Sequence, residues 1–327
     1  MPVRVLVTGA SGFIGGHLVR ALCDGGVAVR AMLRRPDGIP ACDARSEPVL
    51  ADLLDPPSLV RACTNTDVVV HCAGHAHAHG AAGSDAAPHF ETNLVGTRNL
   101  AEAAVAARVS RLIFVSSVKA LGPPGNACAD EDWPVPPATP YGRAKREAEA
   151  ALRQCAAEAA LEVVILRLAM VYGPGSRGNL ERMARGIRAG WFPPLPETGQ
   201  RRSMIHVADV VGAIMRVIDD SRATGRTYIV AHPRAYSGAE LQAAMRDALG
   251  LAPQRWSVPA GLLRALGRVG DLAGGLMGRR FPFDGEVVER LLGPERYDAS
   301  AIRSELGWAA RVSLEEGLRD LFAGGRK

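Results

Sequence analysis

In the first two thirds of the chain, short unbroken runs of aliphatic residues alternate with longer stretches whose apolar positions recur every three or four residues. The runs predict strands over 4–8, 27–33, 67–71, 111–116 and 163–168. The longer stretches predict helices over 13–23, 57–63, 90–107 and 142–159. Strands that are apolar at nearly every position are covered on both faces, the condition of a parallel sheet, and strand–helix–strand alternation builds βαβ crossovers. The expected fold class is α/β with a doubly wound parallel sheet. After about residue 170 the rhythm breaks. YGPGSRG, WFPPLPETG and VAHPRAYSG are rich in turn formers, and the segments between them are short and irregular. This predicts a first unit over 1–170, its sheet completed by later segments at about 203–232, and a smaller mixed α/β portion over 171–327.

Composition narrows the function. A chain of 327 residues that is 47% hydrophobic can bury a real core, which excludes disorder. The net charge of +5 comes from Lys and Arg scattered among acids, so it carries no nucleic-acid footprint and suits a phosphate-bearing small molecule. Six cysteines without CxxC spacing, and a start (MPVRVLV) without the layout of a signal peptide, read as reduced thiols in a cytoplasmic protein. No apolar run approaches the ~20 residues of a membrane helix, so no membrane insertion is expected.

Directly after the first strand comes TGASGFIGG, with Gly9, Gly12 and Gly15. In a dinucleotide fold this turn must be tight, must let the backbone reach a pyrophosphate and must let helix and strand pack closely; three glycines meet those needs. A GxxGxxG alone is a weak signal, but here a strand precedes it and a helix follows. Ser11, Phe13 and Ile14 complete the loop, with the first helical amides turned to the phosphates. The first unit thus reads as a Rossmann-type NAD(P)-binding domain and the second as the substrate-binding portion. After the second strand, AMLRRPDG offers Arg34 and Arg35 where NAD enzymes place an acid for the ribose 2′-hydroxyl, which favours NADP(H); Asp37 keeps NAD(H) possible.

PYGRAK puts Tyr141 and Lys145 one helical turn apart on one face. An ammonium beside a phenol stabilises the phenolate, so the tyrosine can exchange a proton with a substrate hydroxyl near neutral pH. Upstream, Ser116 and Ser117 end a strand on the sheet edge that carries the glycine loop, where a hydroxyl can orient the substrate oxygen.

With ADLLD, VVVHCAG, TNLVGTRNL, LRLAMVYGPG, RRSMIHVADV and YDASAIRSELGW, these segments resemble the extended short-chain dehydrogenase/reductases over nearly the whole chain. That family comprises NAD(P)-dependent nucleotide-sugar epimerases, dehydratases and reductases. The resemblance implies Ser117, Tyr141 and Lys145 as catalytic triad, Ser117 being preferred to Ser116 because it lies five residues before Gly122. It places Asp52 and Leu53 near the adenine, Ala73 and Gly74 beside the nicotinamide ribose, and Asn93 on a backbone group or water near Lys145. For a nucleotide-sugar substrate it implies Asn179 and Leu180 near the diphosphate and base, Arg202 on phosphate oxygens and Arg290 as a second phosphate contact. His77 and Lys119 join that substrate-binding set. The subgroup most resembled is UDP-glucose 4-epimerase-like and includes 4-reductases of UDP-4-keto-6-deoxy-N-acetylhexosamines from polysaccharide synthesis. Met170 departs from the Asn that many 4-epimerases carry, and Val118-Lys119 replace the Asp-Glu of dehydratases.

The implied chemistry is oxidoreduction at C4 of a nucleotide-linked sugar, as 4-keto reductase or 4-epimerase. A reductase of a non-sugar ketone, steroid- or flavonoid-like, and a non-catalytic dinucleotide sensor remain alternatives. His71, His75, His77, His79 and His89 cluster in sequence but lack an acid or cysteine to complete a metal site, so no metal is expected; His206 reads as a packed core residue. The Ala-rich helices over 90–107 and 142–159 resemble a family dimer contact, which predicts a homodimer.

Overall fold

The computed structural model describes residues 3–35, 46–75, 87–176, 178–277 and 284–323. The chain begins β1 (Arg4–Thr8), α1 (Phe13–Asp24), β2 (Ala28–Leu33), β3 (Ser46–Leu50), α2 (Pro56–Cys63) and β4 (Val68–His71). Next come α3 (Ala87–Phe90), a π-helical turn (Glu91–Val95), α4 (Gly96–Ala106), β5 (Arg111–Ser117), β6 (Cys128–Ala129), α5 (Pro140–Glu158) and β7 (Glu162–Leu168). The remainder is β8 (Met170–Tyr172), α6 (Asn179–Arg188), β9 (Met204–His206), α7 (Val207–Asp219), β10 (Thr227–Val230) and α8 (Gly238–Ala248). It closes with α9 (Ala260–Met277), α10 (Gly285–Leu292), β11 (Arg296–Tyr297), α11 (Ser300–Leu306) and α12 (Leu314–Ala323).

Seven strands form one parallel sheet in the order β10-β7-β5-β4-β1-β2-β3. The winding direction reverses between β1 and β4, and ligands of open α/β sheets bind outside the strand ends at such a switch point. Alternate side chains feed two cores. Val5 and Val7 face α1 and α7, whereas Leu6 faces α2, α4 and α5 with Val69, Leu112 and Phe114. A third core, containing Met183, Met204, Met245, Val288 and Leu318, belongs to the later helices.

Three expectations need correction. β3 was not foreseen because Pro48 sits inside it; proline cannot donate to a ladder but is tolerated on an edge strand, which is where β3 lies. Of the segment at 203–232, β10 joins the sheet, but β9 pairs with β8 in a separate two-stranded ladder. The later segments are not uniformly short: α9 runs for 18 residues despite five glycines, so packing overrides weak helix propensity.

Candidate active site

The turn after β1 is built without Cβ atoms for a steric reason. Gly9 has φ +66°, and a Cβ there would stand 2.8 Å from Ala73 N; one on Gly15 would stand 2.1 Å from Gly9 O. Gly12 caps α1 without a side-chain hydrogen bond, leaving the first-turn amides beside exposed Ser11 and half-buried Phe13 and Ile14 for an anion. Arg34 and Arg35 are exposed just past β2. Asp52 is exposed, its Oδ1 accepting from Leu54 N at 2.9 Å, while Leu53 is buried and its carbonyl accepts from Asn99 Nδ2 at 2.9 Å.

Behind the turn, Thr8 Oγ1 accepts from Ala73 N (3.1 Å) and lies 2.7 Å from His71 Nδ1. His71 Nε2 lies 3.0 Å from Thr97 Oγ1, which donates to Asn93 O (2.7 Å). Because Thr97 gives its proton to a carbonyl, His71 must donate from Nε2 and accept at Nδ1, so every member of the chain is satisfied by a neutral ring. Burial, then the Lys145 charge, push His71 down to about 3. Asn93 sits in the π-helical turn; its Oδ1 accepts from His75 N (2.7 Å) and its Nδ2 donates to His75 O (3.0 Å). That clamp holds the segment carrying Ala73 and Gly74 against the turn after β1. An uncapped helix start over a Cβ-free turn, and an exposed Gly74 beside Lys145, fit a nicotinamide dinucleotide.

Thr139 caps α5 by accepting from Gly142 N at 3.1 Å, and Pro140 opens the helix. A Cβ on Gly142 would stand 2.2 Å from Lys119 O, so only glycine lets this helix start close on the end of β5. Tyr141 and Ser117 are thereby brought together. Burial raises the Tyr141 pKa, and a hydrogen bond with Ser117 opposes the rise. His89, buried on α3, sets its ring 5.9 Å from that of Tyr141, and its Nδ1 lies 3.0 Å from His75 O. Lys145 does not play the expected part toward the phenol. Its Nζ donates to Val115 O at 3.0 Å and lies 4.4 Å from the centre of the Phe114 ring. Burial pushes Lys145 down to about 8, while Glu149, one turn on, pulls the other way. A Cβ on Gly74 would stand 3.5 Å from Nζ, so the buried ammonium lies directly behind the exposed Gly74.

Arg202 lines a cavity of about 670 Å³ with Leu180, Met183, Phe192, Tyr236 and Leu292. Its Nη1 lies 3.4 Å from Glu295 Oε2, and Lys119 Nζ pairs with the other oxygen of the same carboxylate. Burial pushes Glu295 up, but Lys119 and Arg202 outweigh it and hold the carboxyl below its usual range. Arg202, expected on phosphate, therefore has a carboxylate partner, and the shared Glu295 ties the cavity to the Ser117 end of the site. His77 lies outside the described residues. Asn179 and Arg290 fall on α6 and α10, and their side chains are not described.

Three residues of the site escaped sequence reasoning, Glu295, Glu149 and Arg167, and His89 was singled out there only within the histidine cluster. Glu149 is fully buried, accepts from Ser116 Oγ (2.7 Å) and holds Arg167 Nη2 at 2.7 Å. Its spacing of four from Lys145 was the available signal. His206 caps α7 by accepting from Ala208 N at 3.3 Å, and among the described residues no group of His, Cys, Asp or Glu forms a metal-ligand cluster.

Residues 5–231 match the NAD dependent epimerase/dehydratase family. A UDP-glucose 4-epimerase of Vibrio cholerae is 32% identical, over 98% of this chain and 94% of that one. The structure of MoeE5 in complex with UDP-glucose and NAD is 29% identical with a TM-score of 0.72, covering 99% of this chain and 98% of that one. A UDP-glucose 4-epimerase of Thermotoga maritima with UDP-glucose shares the fold at 23% identity and a TM-score of 0.76, covering 99% of each chain. The reach of the match from within β1 to just past the end of β10, with the 32% relative spanning nearly the full length, makes this chain a member of the NAD dependent epimerase/dehydratase family.

Proposed function

We propose that the protein carries out oxidoreduction at C4 of a nucleotide-linked sugar, a UDP-hexose or N-acetylhexosamine, as a 4-epimerase or 4-keto reductase. One observation carries the reading: the Ser117–Tyr141 pair and the Arg202 cavity are the two ends of one chain of contacts, in which Ser117 Oγ accepts from Lys119 N and Lys119 and Arg202 share the Glu295 carboxylate. A sugar at the first end and its nucleotide diphosphate at the second match that polarity. A bound nicotinamide would supply the hydride chemistry at the sugar carbon, uptake and return in an epimerase or a single donation from the reduced form in a keto reductase. Tyr141 moves the proton to and from O4, and Ser117 holds the same oxygen while easing the phenol's burial. Lys145 presents its ammonium to the ribose hydroxyls next to Gly74. Arg202 and Lys119 exchange Glu295 for diphosphate oxygens, and Asn179, Leu180, Arg290 and His77 complete the substrate contacts. The relatives' names, UDP-glucose 4-epimerase and a UDP-glucose complex, support the same substrate class.

Exposed Arg34 and Arg35, with buried Leu33 in place of an acid, support NADP(H) over NAD(H). α4 and α5 pack side by side with Val95 and Val105 exposed on and beside α4, which supports a homodimer built on them; a monomeric mass in sedimentation at micromolar concentration counts against it.

The test has two arms: UDP-glucose and UDP-galactose interconversion by the purified protein, and oxidation of NADPH or NADH on addition of UDP-4-keto-6-deoxy-N-acetylglucosamine. Turnover in one arm that falls roughly 10²–10⁴-fold in Tyr141→Phe, with dinucleotide binding retained, is the expected result. No turnover in either arm returns the weight to a non-sugar ketone or a sensor.

A further inference from the structure

We propose that α9 is an interfacial anchor that seats the second half of the molecule on an anionic lipid surface. The inference goes beyond the proposed reaction and does not depend on it. Six of the large hydrophobic side chains exposed among the described residues lie on this one helix of 18 residues. Val269 is 63% exposed, Leu272 69% and Leu276 86%. Together with Leu262 and Leu266 they recur at spacings of three and four, which puts them on one side of the helix. They are not the side that packs. Leu263, Gly267 and Gly270 are buried and form the seam against α10, about a third of a turn away. The helix thus has two apolar faces, and only one has a protein partner among the described residues. Exposed apolar surface of this extent marks an interaction site.

Charge selects the occupant. Arg268 is exposed on the third side of the helix and Arg255 on the segment before it; Arg264, also exposed, pairs with Glu289 of α10 at 3.5 Å, and the one acid of α9, Asp271, accepts from Gly285 N at 3.1 Å. An apolar face bordered by arginines suits the boundary between acyl chains and anionic headgroups. Trp256 is 64% exposed and Trp191 68%; Val258 N donates to Pro194 O at 2.9 Å, tying together the two segments that carry them. Tryptophan is the side chain that settles at headgroup depth. No described helix is long and apolar enough to cross a membrane, so the contact is peripheral. Val287, Leu291 and Leu292 of α10, the helix against which α9 packs, and exposed Trp191 also line the Arg202 cavity, so this surface adjoins it.

The experiment is sedimentation of the full chain with vesicles of phosphatidylcholine plus phosphatidylglycerol, and with phosphatidylcholine alone. The expected result is pelleting with the mixed vesicles, weakened by salt. The triple variant Leu266→Glu, Val269→Glu, Leu272→Glu should bind at least roughly tenfold more weakly, with dinucleotide binding unchanged. Hydrogen exchange of the wild-type chain supplies a readout free of any folding defect in the variant: amides of Ala260–Met277 should slow on vesicle addition while those of β1 do not. Absence of wild-type pelleting, equal binding to both vesicle types, or unchanged exchange over α9 overturns the proposal. So does a wild-type dimer that the triple variant splits, because the face would then belong to a second copy of the chain.

Discussion

At the scale of single residues, the site is arranged around a lysine that the fold makes less basic. Burial outweighs Glu149, and Lys145 titrates at about 8 in place of 10.5. Between those values the unfolded chain holds a proton that the native chain has released, so native stability rises with pH across the window. Lys145→Met should flatten that rise and, at pH 7, stabilise the protein by on the order of 1 kcal/mol while abolishing turnover. Urea midpoints measured from pH 7 to 10 on both proteins check it, and a Lys145→Met protein less stable than wild type at pH 7 contradicts it. Tyr141 is raised by the same burial, and the hydrogen bond with Ser117 works against that rise. Positions such as Tyr141, Lys145 and Ser117 were legible because two spacings and one strand end define them. Glu295 was not: it meets Lys119 across 176 residues of sequence, and no local pattern encodes such a meeting.

At the scale of elements, the approach of α5 to the end of β5 sets the geometry. Gly142→Ala would drive a methyl group into Lys119 O and push Tyr141 away from Ser117. Misplacement on this scale lowers kcat by up to about 100-fold with a smaller change in KM for the dinucleotide. Steady-state kinetics of the variant decide this; equal losses in both parameters would mean that the helix start does not position the phenol. β1, α1, β4 and β5 were foreseen within a residue because apolar runs and glycine or proline punctuation are local signals. The helix expected over 90–107 is in fact interrupted, because Asn93 needs the extra residue of a π-helical turn to reach both backbone groups of His75. α9 was missed for the opposite reason. Its glycines argue against a helix locally, and its packing on α10 is a tertiary fact.

At the scale of the whole molecule, the segments after residue 170 and the sheet are not separable pieces laid side by side. The core on the α1 face of the sheet is closed by Ile205, Val210, Ile214 and Val217 from β9 and α7, and by Ile302 and Leu306 from α11. Arg111, at the start of β5, donates to the carbonyls of Val217 and Ile218, both at 2.8 Å. A fragment ending at residue 170 would keep α1 but lose α7 and α11, leaving Val115 and Leu166 uncovered, and should be insoluble, whereas its face under α2, α4 and α5 would be intact. Expression of residues 1–170 with solubility as readout tests this; a soluble, cooperatively melting fragment would refute it. The dinucleotide half is thus no cassette. A chimaera that grafts a relative's substrate portion onto this sheet must keep α7 and α11 native, so new specificity can enter only through the segments strung between them.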